Sequence, residues 1–390
     1  MRQLFLLIFL CLSALSFAAD STAIRDVEIA APDGVKLKAT FYPAGKPGPG
    51  VLLLHMCNTT RKSWAPVAQQ LSAAGINALT VDYRGFGESG GEVRFDGASS
   101  EQIQRLQAQW PADLDAVFAW LLAQPGVDRN RIGAGGGSCG VNNAVMLASR
   151  HPEVRTLVLL AGSASPAGLK FLTENAWLPL FTAAAADDQY DSHAPQLMKW
   201  MSELPGNPRN QFAGFQDGRH GTEIFEPHPE LPRQIVAFYR ETLLTSPADP
   251  HKKFTPKKTA AAEFWAAGNQ PGGGAKVTQM FHDARRRDPN AFLFPEFVLN
   301  QMAYARMQAG AQDDAIELFK LNAEAYPASA NAYDSLADGY LARGQTQQAL
   351  AAEQKCLELL PADASNEQFK AQLRQVAEEK IAKLKAGNGK

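Results

Sequence analysis

Apolar positions in the first two thirds of the chain fall into short β-like runs separated by stretches with helical spacing. Val27–Ile29 and Leu37–Tyr42 flank the turn Pro32-Asp33-Gly34 and predict a hairpin. Continuous apolar runs then predict buried strands at Val51–His55, Ala78–Val81, Arg131–Gly135, Thr156–Ala161, Leu180–Ala184 and Gln211–Phe215. Between them, helical patterns cover Trp64–Ala74, Asp113–Ala123, Asn142–Arg150, Ala194–Glu203 and Arg233–Leu243. Such alternation predicts an α/β domain: a doubly wound, mostly parallel sheet with helices on both faces and an antiparallel edge at its start. The stretch from Ala161 to Leu180 is too short for a large lid, so cover is expected only from loops such as 87–108 or from the C-terminal third of the chain.

The pattern changes near Ser246. Pro247, Pro250 and Pro256 alternate with lysines, and 268–274 is rich in Gly and Pro, so 246–275 reads as a linker carrying a short helix around Ala260–Ala267. Beyond it an internal repeat sets in. Ala303 and Ala337, Gly310 and Gly344, Ala315 and Ala349, and Pro327 and Pro361 each stand 34 residues apart. That is the tetratricopeptide period, which places small residues where two helices pack closely and Pro after the second helix. An all-α, tetratricopeptide-like domain is expected over 276–388. It comprises a half unit at Val277–Arg287, two units at about 296–327 and 330–361, and a closing helix at Asn366–Lys385.

Residues 1–19 have the pattern of an export signal: Arg2, an apolar run from Leu4 to Leu15, and Ser16-Phe17-Ala18 before the cleavage point. That pattern implies a soluble periplasmic or secreted protein, with its α/β domain over 20–245 and no membrane span. The 390 residues carry a net charge of −2, which offers no basic face to nucleic acid or anionic membranes. Arg285–Arg287 read as a solvated helix face. Without the signal three cysteines remain, Cys57, Cys139 and Cys356, enough for one bridge at most. No His/Cys spacing indicates a metal, and no cofactor motif is present.

The chemistry centres on Gly136-Gly137-Ser138-Cys139-Gly140, which comes after a strand and opens a helix. G-x-S-x-G in that context is a nucleophile elbow, a turn too tight for neighbouring side chains that holds the Ser in strained backbone geometry. A Ser hydroxyl needs a base to take its proton and an acid to orient that base. After the strand at Leu180–Ala184 comes Asp187-Asp188, and after Gln211–Phe215 comes Gly218-Arg219-His220-Gly221. His220 is the candidate base and Asp188 the candidate acid. Asp187 is the alternative, with the loser of the pair expected as a helix N-cap, and Asp191 stands third. One oxyanion donor is expected to be the backbone N–H of Cys139, and the other to come from the loop His55-Met56-Cys57.

Residues 27–244 resemble the α/β-hydrolase superfamily, in particular its dienelactone hydrolase-like group. Beyond the elbow, Asp82-Tyr83-Arg84-Gly85-Phe86-Gly87-Glu88-Ser89 is similar to that family's D-x-R-G-x-G-x-S loop. Residues 115–138 resemble the approach to the elbow there and in prolyl-oligopeptidase-type peptidases. The resemblance implies a Ser138–His220–Asp188 triad with Cys57 and Cys139 as oxyanion donors. The chain departs from the family at Met56 and Val141, where Gly is usual, and in using Ser where dienelactone hydrolases proper use Cys.

An ester, lactone or other acyl bond is the expected target, with a peptide bond as the alternative and small-molecule or peptide substrates in either case. The rival from another class is a non-catalytic interaction protein that recruits a partner through its repeats. The repeats either bind a peptide or protein or brace the catalytic domain. Cys57 and Cys139 are either bridged or two packed thiols, and a Cα separation above about 7 Å excludes the bridge.

Overall fold

The computed structural model describes residues 23–252 and 254–387, so the export signal expected at residues 1–19 lies outside the described residues. Eight strands form one sheet: β1 (Arg25–Ala30), β2 (Lys36–Tyr42), β3 (Gly48–Leu54), β4 (Asn77–Val81), β5 (Val127–Gly137), β6 (Val154–Leu160), β7 (Leu180–Ala185) and β8 (Gln211–Phe215). Their order is β1-β2-β4-β3-β5-β6-β7-β8. β2 pairs antiparallel with both β1 and β4, and every pairing from β4 through to β8 is parallel. This is the α/β-hydrolase fold, with the antiparallel edge at its start.

Helices α1 (Ala65–Ala73) and α6 (Glu230–Arg240) cover one face, and α2 (Ser100–Leu122), α3 (Cys139–Arg150), α4 (Pro166–Glu174) and α5 (Ala194–Glu203) the other. Side chains alternate across a strand, so β3 feeds both layers. Leu52 and Leu54 pack with Leu114 and Val117 of α2, while Val51 and Leu53 pack with Val67 and Leu71 of α1. The D-x-R-G-x-G-x-S loop is a structural clasp after β4. The Asp82 carboxylate accepts from the Arg61 and Glu88 N–H groups at 2.7 and 2.9 Å, and Ser89 Oγ donates to the Asp82 carbonyl at 2.6 Å. A Cβ on Gly87 would lie 2.1 Å from that carboxylate, and its φ of +47° suits glycine.

Two elements extend beyond the sequence expectation. α2 begins at Ser100, well before Asp113, and runs through Pro111; a capping box between Ser99 and Gln102 starts it. α4 occupies the stretch between β6 and β7, with Ser165 accepting from the Gly168 N–H at 3.3 Å.

The segment expected as a linker carries the expected short helix, α7 (Ala260–Gly268), which buries Ala261, Phe264 and Trp265, and α8 (Gly273–Arg287) begins inside the Gly-rich run. A Cβ on Gly273 would lie 2.5 Å from the Gly268 carbonyl oxygen, and one on Gly274 2.7 Å from Asp314, so these glycines serve close approach rather than flexibility. Two helical hairpins come next, α9 (Glu296–Gln308) with α10 (Gln312–Ala325) and α11 (Ala330–Ala342) with α12 (Thr346–Leu359), and α13 (Glu367–Gly387) closes the stack. Gly310 and Gly344 take φ of +81° and +73° at the two hairpin turns, which is why glycine recurs there.

The helical region is joined to the sheet domain through a shared apolar core. Trp200 of α5 packs edge-on against Trp265 with ring centroids 6.4 Å apart, and its Nε1–H donates to the Leu293 carbonyl at 2.9 Å. Among the described residues no helix is long and apolar enough to cross a membrane.

Candidate active site

β5 runs straight into Ser138, which turns the chain into α3. Ser138 has φ 53° and ψ −122°, and its N–H donates to the Leu160 carbonyl at 2.9 Å. The glycines around it are demanded by space. A Cβ on Gly136 would lie 1.9 Å from the Gly140 carbonyl oxygen, and one on Gly140 2.6 Å from that of Leu54. Among the described residues only Ser138, Ala161 and Arg219 are non-glycine residues with positive φ. Ser138 and Ala161 line one cavity with His220, and Arg219 immediately precedes that His. Left-handed backbone costs a non-glycine residue of order 1–3 kcal/mol, and here it collects around a single cavity.

That cavity measures about 520 Å³ and lies over the C-terminal ends of the central strands. Ser138, Cys139 and His220 line it together with Trp110 and Leu114 of α2, Asn142 and Met146 of α3, and Leu197 of α5. Phe297 of α9 completes the wall, so the helical region contributes directly to it.

His220 Nδ1 meets Asp188 Oδ2 at 2.7 Å, and both side chains are buried. The other oxygen of Asp188 accepts from the Tyr190 and Asp191 N–H groups at 2.9 and 3.1 Å, which fixes the carboxylate. Asp187 is no helix cap: its Oδ1 accepts from the Arg219 N–H at 2.8 Å and pins the loop that carries His220. Asp191 lines the cavity, and burial raises its pKa above the ordinary value. Tyr190 packs edge-on to the His220 ring at 4.7 Å.

Cys57 and Cys139 are bridged, with Cα atoms 5.9 Å apart, so they are not separate packed thiols. The bridge ties the loop after β3 to the first residue of α3, and the third thiol, Cys356, is free and buried in the helical region. His55 braces the same loop. Its Nε2 accepts from the Tyr83 N–H at 3.1 Å, which leaves the proton on Nδ1 to donate to the Met56 carbonyl at 2.6 Å. Burial pushes the His55 pKa down to about 4, and the ring stays neutral. Cys57 N–H donates no hydrogen bond among the described residues. Cys139 N–H is at the first turn of α3, where helix N–H groups lack intrahelical partners and the dipole favours negative charge.

The two departures from the family pattern point away from the cavity. Met56 is fully buried, and its Sδ accepts from the Thr222 N–H at 3.4 Å, under the turn that carries His220. Val141 is likewise buried, beside Gly162. Neither lines the cavity.

A second buried ionic group lies in the helical region. Asp334, Glu353 and Cys356 offer ligand atoms within 4.8 Å of one another, but the cation there is Lys380. Its Nζ stands 2.8, 2.6 and 3.1 Å from Asp334, Asp338 and Glu353.

Sequence reasoning missed Trp110, Asn142, Met146, Leu197 and Phe297, which line the cavity, and Tyr190, which packs on His220. Each arrives by tertiary packing, without a local motif to announce it.

Comparison with known proteins agrees in outline. The profile of the X-Pro dipeptidyl-peptidase family, S15, matches residues 33–203, somewhat less than half of the chain. An uncharacterized protein of Mycobacterium tuberculosis is 33% identical over 183 residues, 45% of this chain and 59% of that protein. A thiohydrolase of Aspergillus aculeatus is 31% identical over 134 residues, 34% of this chain and 40% of that enzyme. The chain thus spans less than two thirds of the length of these curated relatives. An esterase of Pyrococcus furiosus superposes with a TM-score of 0.46 at 21% identity, covering 57% of this chain and 92% of the esterase.

Proposed function

We propose that this chain is an exported serine hydrolase, periplasmic or secreted, that cleaves an ester, lactone or related acyl bond through Ser138, His220 and Asp188. The observation that carries the reading is the 2.7 Å contact of Asp188 with His220 at the wall of the cavity that the strained Ser138 also lines. Asp188 accepts the Nδ1–H of His220, which leaves Nε2 free to take the Ser138 proton. Ser138 Oγ attacks the acyl carbon, and the carbonyl oxygen gathers charge opposite the N–H groups of Cys139 and Cys57. His220 returns its proton to the departing alcohol, and the carbon–oxygen bond breaks. Water then gives its proton to His220 and attacks the acyl-enzyme; collapse of that intermediate frees the acid and restores Ser138.

Within this reading the catalytic domain is of the dienelactone hydrolase-like type with a Ser nucleophile, and the helical region is tetratricopeptide-like, as the 34-residue spacing of its glycines supports. A peptidase is the second reading, favoured by the S15 profile over residues 33–203. Short-chain p-nitrophenyl esters assayed beside a proline-containing peptide library, on wild type and Ser138→Ala, test both. Ester turnover abolished by Ser138→Ala is expected. Turnover of peptides alone would move the assignment to a peptidase, and ester turnover undiminished in Ser138→Ala would refute the nucleophile.

A further inference from the structure

The cavity at Ser138 has a neighbour beyond Phe297. A second cavity of about 560 Å³ shares Asp191, Leu197 and Phe297 with it, and its far wall belongs to the helical region. That wall is formed by the start of α9, the turn between α10 and α11, and the segment leading into α13. Tyr190, Phe297 and Phe369 line this groove while remaining 50%, 39% and 37% exposed, so half of the six exposed large apolar side chains among the described residues sit here. Tyr326 adds a fourth aromatic ring. Its hydroxyl is committed to the Phe294 carbonyl at 2.6 Å, leaving an apolar edge for an occupant.

The electrostatics are one-sided. The ionisable side chains lining the groove, besides tyrosine, are Asp191, His193, Glu296 and Asp363, with no lysine or arginine. Glu296 holds Ser329 and Asn331 through one oxygen at 2.8 and 3.1 Å, and Asp363 accepts from the Ala330 and Ser365 N–H groups at 2.7 and 2.8 Å. These carboxylates thus shape the wall, and their field opposes an anionic occupant.

The groove also has a defined side. It opens beside Tyr190, whose ring contacts His220, and Asp191 stands in both cavities. The group that protonates a departing atom must touch it, so the leaving portion of a substrate lies on the His220 side. We propose that the groove is the leaving-group subsite. It receives an extended alcohol or amine whose body is aromatic or apolar and which carries no negative charge. The helical region thereby takes part in substrate selection. This inference rests on the acyl-transfer reading above.

The test uses butyryl esters of phenols extended at the para position by equal-length tails ending in phenyl, trimethylammonium or carboxylate, with unextended phenyl butyrate as reference. The full chain and its Phe369→Ala variant are assayed, and binding of the same esters to Ser138→Ala is measured by calorimetry. Burying one further ring predicts a kcat/KM for the phenyl-tailed ester about tenfold above the reference, with matching tighter binding to Ser138→Ala. The carboxylate-tailed ester is expected to fall below the trimethylammonium one. Phe369→Ala brings the phenyl-tailed-to-reference ratio close to one, and Phe369→Leu, which keeps an apolar contact, retains most of it. Hydrolysis of the reference with no gain from any tail, in rate or in binding, overturns the subsite and leaves the hydrolase reading intact. Wild type that turns over none of the esters, with no binding to Ser138→Ala, overturns both.

Discussion

At the C-terminal edge of the sheet, Asp188 and His220 are buried together, and His220 lines a cavity of about 520 Å³. In the helical region, Asp334, Asp338, Glu353 and Lys380 are packed between helices, and one ammonium meets three carboxyl groups. The first group is held by partners behind it, Tyr190 and Asp191 N–H on Asp188 and Arg219 N–H on Asp187, while its front is left for chemistry. The second is neutralised in place by Lys380, although both Glu353 oxygens lack a hydrogen-bond partner among the described residues. A cluster that faces its own cation between packed helices specifies packing, whereas one braced from behind and unfinished in front is equipped to act on something else.

Breaking the catalytic side of this contrast has the largest expected effect. His220→Ala and Asp188→Asn should each lower kcat on short esters by roughly 10⁴, with folding retained, as steady-state kinetics and circular dichroism would check. Asp187→Asn should cost about tenfold or less, since Asp187 reaches the reaction only through the Arg219 backbone. Equal losses for the two aspartates would undo the division of labour assigned to them.

On the structural side, Lys380→Met should destabilise the helical region by about 3–5 kcal/mol, because it strands carboxylates in a buried setting. Urea unfolding followed by a probe in that region measures this. A change under about 1 kcal/mol would mean the cluster is open to water after all.

The bridge between Cys57 and Cys139 spans 82 residues, and a loop of that length corresponds to about 4.5 kcal/mol in the chain-entropy account. Cys57→Ser, or reduction of the wild type, should lower the Tm and reduce kcat about tenfold as the loop after β3 loosens. Cys356→Ser, remote from the site, should leave kcat unchanged.

The smallest effect is a pH dependence. Burial, reinforced by Asp334, pushes the Glu353 pKa from 4.5 up to about 8 in the folded protein. The folded state therefore keeps a proton that the unfolded chain releases above its lower pKa. The stability this proton confers is whole below 4.5 and lost as pH rises through about 8. Glu353→Gln should flatten the fall in Tm over that interval, as thermal melts across pH would reveal.

Much of this was legible in the sequence because local rules sufficed. The hairpin, the parallel strands and the elbow at Ser138 announce themselves by periodicity and by glycines that space demands. His220 is found by chain order. The long α2 was obscured by Pro111, although its opening capping box at Ser99 and Gln102 was readable. The Gly-rich run at 268–274 has the composition of a linker but serves as a packing joint, a distinction that only neighbours such as Asp314 can make. Two adjacent aspartates share one local pattern, and only the third dimension sends Asp188 to His220 and Asp187 to Arg219. Trp110 and Phe297 come from opposite ends of the fold and meet at the cavity for the same reason.

An activated Ser138 reacts with phosphonylating reagents that leave ordinary serines untouched. Treatment of the folded protein with a fluorophosphonate probe, followed by peptide mass spectrometry, tests this activation most directly. One covalent adduct is expected, on Ser138, lost in His220→Ala. Folded protein that stays unlabelled, or an adduct on another serine, would contradict it.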